Sequence, residues 1–385
     1  MVGQALLILH PTKIYQVKPG DTLYSIAQSF QVSVISLIRN NPYIIQEQQL
    51  REGQVLVITY EGVRDKIIST NGYVYPYVSF QVLEQTLPYL TTLSIFSYGF
   101  TPEGDLVPVD DEEVLEITTK YGVGPVLTLT PSDANGAFNS ALVTAITQNK
   151  EAQNHLIDEL LATVKEKQYV GVDVDFEYVK GEDRIAFAEF VAELTRRMNA
   201  EDFFVSVALA PKVSESQAGL LYEGIDYRLL GESANSVLLM TYEWGYTYSE
   251  PMAVAPINKV REVLDFAVTQ IPVDKIDMGI PNYGYDWTLP YVKGESRARA
   301  IGNIEAVQIA AANNAVIQFD EVAQTPFFTY TREGVDHEVW FEDVRSIKAK
   351  LELVKEYDFR GVGYWQLMRL FRPNWLLVNV MFEIL

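Results

Sequence analysis

Between Val170 and Tyr178 three carboxylates alternate with apolar side chains: Asp173, Asp175 and Glu177 interleave with Val172, Val174, Phe176 and Tyr178. Successive side chains of a strand point to opposite faces, so the run predicts a strand with one apolar face and one acidic face. The apolar face must meet a layer of helices. The acidic face then lines the interior of a barrel, and Glu177 stands nearest the C-terminal mouth, where barrel enzymes keep their sites.

The rest of the chain supplies the partners such a strand needs. From about residue 66, short β-branched or aromatic runs alternate with helical periodicity, the pattern of successive βα units. Strands are expected at 67–75, 90–100, 124–130, 170–178, 203–211, 236–244, 275–285 and 361–368. Helices are expected between them, among them 152–168, where Leu156, Ile157, Leu160, Leu161 and Val164 recur at helical spacing, and 182–200, 256–270 and 341–357. Eight such units predict an α/β protein with a (β/α)₈ TIM barrel over residues 61–385 rather than an open doubly wound sheet. Residues 288–340 exceed an ordinary βα loop and form an insertion, in which IQFDEV and HEVWF are expected to make a small hairpin over the barrel mouth.

A chain of 385 residues has room for a small module ahead of such a barrel. Residues 13–60 read as a self-contained βααβ unit: KIYQV, the helical runs Leu23 to Phe30 and Val34 to Asn40, then QVLVI. Pro19-Gly20 makes the first turn, Asp21 or Thr22 can cap the first helix, and Asn41-Pro42 ends the second. The polar linker Glu61 to Lys66 suggests a tethered domain that adds no catalytic group. Ahead of it, Val2 to Ile8 echoes Glu52 to Ile58, so residues 1–12 are expected to be the end of a preceding repeat. Either that repeat has decayed or residues upstream are missing, and the second reading is favoured.

Composition narrows the partners. The formal charge of −21 falls almost wholly on the barrel part, because residues 1–60 nearly balance Lys13, Lys18, Arg39 and Arg51 against Asp21, Glu47 and Glu52. That field disfavours nucleic acid and anionic lipid as partners. No stretch approaches the ~20 apolar residues of a membrane span. The N-terminal run MVGQALLILHP has neither the length nor the basic region of a signal peptide. There is no cysteine, and His10, His155 and His337 lie far apart, so no metal site and no cofactor are expected. The oligomeric state is left open.

Three acids in one partly buried column cannot all ionise cheaply, so at least one should stay protonated near neutral pH. A carboxylic acid of raised pKa at the mouth suits protonation of a leaving oxygen, which assigns Glu177 as general acid. A solvated acidic strand or a divalent-metal site are the alternatives, the latter disfavoured because all three acids come from one strand. Side chains two apart on a strand approach a sugar from the same side. Asp175 is therefore badly placed to attack the opposite ring face, whereas a substrate with a 2-acetamido group supplies its own nucleophile. Asp175 would then orient and polarise the acetamido nitrogen.

At this point Asp173, Asp175 and Glu177 resemble the end of the fourth barrel strand in glycoside hydrolase family 18, Asp-x-x-Asp-x-Asp-x-Glu, with Val170 in place of the first acid. Met240-Thr241-Tyr242-Glu243-Trp244 is similar to the family's Met-x-Tyr-Asp segment, with Glu243 replacing Asp. The resemblance implies that Tyr242 hydrogen-bonds the acetamido oxygen, that Trp365 floors the −1 sugar pocket, and that Met240, Glu243, Tyr98, Asn282 and Tyr283 contribute to substrate binding. Taken singly, Tyr242 and Trp365 would read as core packing.

The N-terminal unit resembles a LysM module through Val17-x-x-Gly20-Asp21-Thr22-Leu23 and Gly53-Gln54-x-Leu56-x-Ile58. That implies binding of N-acetylglucosamine-containing glycan between Gly20, Asp21, Thr22, Leu23 on one side and Pro42, Tyr43, Ile44 on the other. A module kept only for folding or assembly is the alternative. With Pro281 to Trp287 added, the chain looks like the spore cortex-lytic N-acetylglucosaminidases of endospore formers. This implies retaining hydrolysis of β-1,4 bonds in cortex peptidoglycan, and a place in the spore cortex, coat or cell wall. A chitinase, and a catalytically silent glycan-binding protein of the same fold, are the competing expectations; silent relatives usually lose the catalytic Glu, which is present here.

Overall fold

The computed structural model describes residues 1–47, 50–62, 64–132 and 136–385. Eight parallel strands close into a barrel: Ile67–Val74, Thr92–Phe100, Gly124–Leu129, Gly171–Val174, Phe204–Leu209, Ser236–Leu239, Ile276–Pro281 and Gly361–Trp365. Each pairs with the next, and the eighth pairs with the first, Gly361 lying opposite Ser69 and Tyr364 opposite Gly72. The β-branched runs therefore form the eight expected strands, with two ends moved: the fourth stops at Val174, so Asp175 and Glu177 follow it, and the run expected at 275–285 divides after Pro281, with Gly284 and Tyr285 entering the insertion.

The helices between them turn their apolar stripes onto the barrel. In the helix Lys150–Lys167, Asn149 caps the first turn by accepting from the amides of Glu151 and Ala152, and Leu156, Ile157, Leu160 and Val164 are wholly buried. On the fourth strand Val172, Val174 and Phe176 face this layer, and the Phe176 ring stacks on Phe187 and Phe190 at centroid distances of 5.4 and 5.7 Å. Truncating a ring so enclosed costs about 3–5 kcal/mol. The strand's carboxylates are thus driven inward by the packing of its other face.

The insertion is larger than a hairpin. Gly284–Thr288, Arg299–Ile301, Gln318–Asp320, Thr325–Arg332 and Val335–Trp340 form a five-stranded antiparallel sheet, backed by the helix Asn303–Ala312. IQFDEV and HEVWF do not pair with each other; both pair with Thr325–Arg332, one on each side. Two of the strands are three residues long, too short to register as periodicity. Glu333 and Gly334, both at positive φ, make the two-residue turn of the true hairpin, as a type I′ turn demands.

The N-terminal unit folds as β, α, α, β (Pro11–Gln16, Leu23–Phe30, Val34–Asn40, Val55–Tyr60), with an extra helical turn, Ile44–Glu47. Thr22 caps the first helix, while Asp21 instead accepts from the Lys18 amide and the Tyr15 hydroxyl, holding the turn closed. The echo at the N-terminus survives as local geometry: Gly3 and Gly53 occupy the same left-handed region, φ +78° and +81°. Val2 to Ile8 forms no strand, however, and the Val2 carbonyl accepts from the Ile317 amide of the insertion. Leu6 and Ile8 stand 71% and 73% exposed, whereas their counterparts Leu56 and Ile58 are core.

The small unit is not a loose tether. Arg39 donates from Nε to the Pro88 carbonyl (2.5 Å) and from Nη1 to that of Ile384 (3.4 Å), Tyr89 donates to the Arg39 carbonyl (2.7 Å), and Asn379 donates to Asn40 Oδ1 (2.8 Å). Burial pushes the Arg39 guanidinium down to about 10. Of the linker, Val63 lies outside the described residues; Asp65 pairs with Lys355 at 2.5 Å and Lys66 with Asp358. Directional bonds to buried partners fix an orientation that apolar contact alone leaves free. Arg39→Ala removes two donors from this junction, a loss of about 1–3 kcal/mol. Backbone hydrogen exchange at 87–90 and 383–385 should rise about tenfold, and unchanged protection would show that the junction is held by something else.

Candidate active site

The fourth strand carries its acids up the barrel axis. Asp173 is sealed inside, its Oδ2 accepting from the Tyr73 hydroxyl at 2.9 Å and its Oδ1 from Ser206 at 2.6 Å. Burial pushes its pKa up, and these two hydrogen bonds oppose the rise. Asp175 comes next, buried, with Oδ1 lacking a hydrogen-bond partner among the described residues. Desolvation, then the charges of Glu177 and Asp173, hold it well above the usual carboxylate range. Glu177 stands at the rim, pushed up to about 7 by burial and next by the charge of Glu243.

Above the column opens a groove of about 660 Å³ lined by Asp175, Glu177, Tyr242, Glu243, Met240 and Trp365 together with further aromatics. Trp365 ends the eighth strand, its ring 5.0 Å from Phe96 and 5.7 Å from Tyr73 between centroids. Tyr242 follows the sixth strand, where the Thr241 hydroxyl donates to the Gly279 carbonyl at 2.7 Å. A side chain at Gly279 would stand 2.7 Å from the Tyr242 ring, so glycine there allows the ring its place beside the acids. Glu243 adopts φ +66°, an unfavourable region for a residue with a Cβ. Its carboxylate is held by hydroxyl donors from Tyr283 and from Tyr285 (3.0 Å), both delivered by the chain leading into the insertion.

Not every expected site residue reaches the groove. Asp173 lies beneath it. Tyr283 acts behind Glu243 rather than on the groove wall. Tyr98 faces the other way and donates to Asp111 at 2.5 Å, because the ladder between the second and third strands is irregular between Ile95 and Tyr98 and the extra residue reverses the alternation. Phe96 lines the groove in its stead. Asn282 spans two loops, donating to the Arg369 carbonyl at 2.8 Å, and does not border the groove. Tyr178 was expected with the apolar face, yet its φ of +57° swings it, 48% exposed, onto the rim. Tyr246, which closes the run that begins at Met240, also lines the groove, as do Tyr75 and Tyr222, which no motif of the sequence singles out. Tyr75 was open to discovery, since it closes the expected first strand.

In the small unit Asp21, Thr22, Leu23 and Ile44 border a second groove. Gly20, at φ +84°, shapes the turn. Tyr43 is partly turned back, donating to the Val55 carbonyl at 2.7 Å; neither it nor Pro42 borders that groove.

These features have counterparts in known proteins. The model of glycosyl hydrolases family 18 matches residues 133–369, and that of the LysM domain matches residues 15–59. The chain is 40% identical to the cortical fragment-lytic enzyme of Bacillus subtilis (strain 168), over 97% of this chain and 98% of that one. Among solved structures it resembles the spore cortex-lytic enzyme SleL of Bacillus megaterium QM B1551, with TM-score 0.81 and 37% identity, covering 97% of this chain and 87% of that one. The corresponding enzyme of Bacillus cereus gives TM-score 0.80 and 35% identity over the same shares.

The coupling between Glu243 and Glu177 generates a pH test. A general acid must be protonated, so turnover should fall as pH rises through the Glu177 pKa of about 7. Glu243→Gln removes a charge that favours the protonated form. The alkaline limb of kcat/KM should therefore move to lower pH, and a limb that stays put or moves higher would show that this limb reports another group.

Proposed function

The chain is a glycoside hydrolase of family 18 that carries a LysM domain, and from that premise we propose that it cleaves the β-1,4 bond following N-acetylglucosamine in spore cortex peptidoglycan, with retention and with the substrate's acetamido group as nucleophile. The observation that carries this reading is the one-sided column: Asp175 and Glu177 leave the same strand beneath the same groove, with Tyr242 beside them. Glu177 donates its proton to the glycosidic oxygen as the C1–O bond breaks, and the acetamido carbonyl oxygen bonds to C1 from the opposite face. Asp175 holds the acetamido N–H and steadies the positive charge on the cyclised group, while the Tyr242 hydroxyl donates to the attacking oxygen. Water then opens the cyclic intermediate, giving its proton to Glu177.

The third carboxylate bordering the groove, Glu243, accepts two phenol hydrogen bonds, which lowers its nucleophilicity and suits it to substrate contact. Trp365 offers an aromatic face to the sugar ring bound above the column. The substrate assignment draws on the cortex-lytic relatives, and it carries with it a location in the spore cortex, the coat or the cell wall, with peptidoglycan as the partner. Incubation with cortex fragments and, separately, with chitin oligomers tests it. Mass spectrometry should find new N-acetylglucosamine reducing ends from cortex. Glu177→Gln should lower turnover at least ~100-fold while glycan binding persists. New muramic-acid ends, a preference for chitin, or near-normal turnover in Glu177→Gln would each overturn a named part of the assignment.

A further inference from the structure

We propose that the glycan groove of the LysM domain is a composite site whose second wall belongs to the barrel, and that it holds a glycan strand other than the one being cut. The inference rests on the reading above that the domain binds N-acetylglucosamine-containing glycan. A groove of about 850 Å³ is bordered on the domain's side by Thr22, Leu23 and Ile44, and on the barrel's side by Glu84, Lys120 and Tyr121. Tyr121 packs one part of its half-buried ring against the barrel core and presents the rest to the groove. The Glu84 carboxylate beside it is near enough to help burial raise the phenol. An aromatic ring next to a carboxylate and an ammonium group is the equipment for a sugar, whose C–H face stacks and whose hydroxyl and amide groups hydrogen-bond.

The position of this wall decides which strand it meets. Tyr121 lies between the helix Glu112–Lys120 and the strand Gly124–Leu129, where the third barrel strand begins. Asp175 and Glu177 lie past the far end of the neighbouring fourth strand. Six residues of strand at about 3.3 Å each separate the two levels by roughly 20 Å. The bonds of Arg39, Tyr89 and Asn379 hold the domain at that base, so it cannot swing its groove to the mouth without breaking them. A short oligomer therefore has no route to occupy both grooves, and two strands can be engaged at once.

Titration of the intact Glu177→Gln chain with soluble chitotriose, shorter than the separation of the two levels, followed by isothermal calorimetry, tests both halves. Two molecules should bind per chain, and filling the catalytic groove with a thiazoline inhibitor should remove one site only. Tyr121→Ala should weaken the remaining site about tenfold, with Lys120→Ala, an exposed position, weakening it in the same direction. Unaltered affinity of that site in both variants would overturn the barrel wall while leaving the domain's glycan binding intact. A stoichiometry of one with displacement by the inhibitor would overturn the two-strand claim. Absence of any inhibitor-resistant site in the intact chain would overturn this inference and the binding role of the domain together.

Discussion

The enclosure of Asp173 between a hydroxyl from across the barrel and one from the adjoining strand is the interaction on which the remainder of the site depends. A lone carboxylate inside a barrel is expensive to desolvate. Ser206, opposite it on the neighbouring fifth strand, and Tyr73, from the first strand across the barrel, meet it with hydrogen bonds, and the second of these partners arrives only when the barrel has closed. Asp175, one step higher, has no such help on Oδ1 and sits between two acids. Its pKa is held above the usual carboxylate range for that reason. Glu177 inherits the partly desolvated rim and the repulsion of Glu243, which together set it near neutrality. Differences in burial and in hydrogen bonding along one stretch of chain thus give three chemically similar groups three different electrostatic environments.

Much of this was legible because strand alternation is a strong constraint where one face must be buried. The inward column follows from it, while the eight strands follow from their β-branched runs and the two helices of the small domain from helical spacing and their caps. It failed where the backbone departs from a simple pleat. The irregularity after Ile95 exchanges Phe96 for Tyr98 in the groove, and the left-handed turn at Tyr178 carries that ring out of the apolar face. Neither departure has a glycine to mark it. Asn282 fell in a strand-end motif, but its amide is spent on the Arg369 carbonyl. The insertion was underestimated because its shortest strands are defined by pairing with distant partners, which periodicity does not report.

The linker misled for a different reason. A short polar segment between two units reads as a tether, yet the specificity of docking lies in Arg39, Asn40, Tyr89 and Asn379, residues scattered across the two units and unremarkable in any local window. Fixing the domain at the base of the barrel separates its groove from the groove above the acids by about the length of the strands.

All of the chemistry turns on whether the nucleophile comes from the substrate or from the protein. The column places both free acids on one side of the sugar, which leaves the acetamido group as the group able to reach the other face. The direct measurement is a pair of inhibition experiments on the intact enzyme with intact-protein mass spectrometry: a thiazoline that mimics the cyclised intermediate, and a fluorosugar that traps covalent glycosyl adducts. Tight competitive inhibition by the thiazoline with no adduct from the fluorosugar is the predicted result. A stoichiometric adduct on a protein carboxylate, with no inhibition by the thiazoline, would contradict substrate assistance and require a nucleophile such as Glu243.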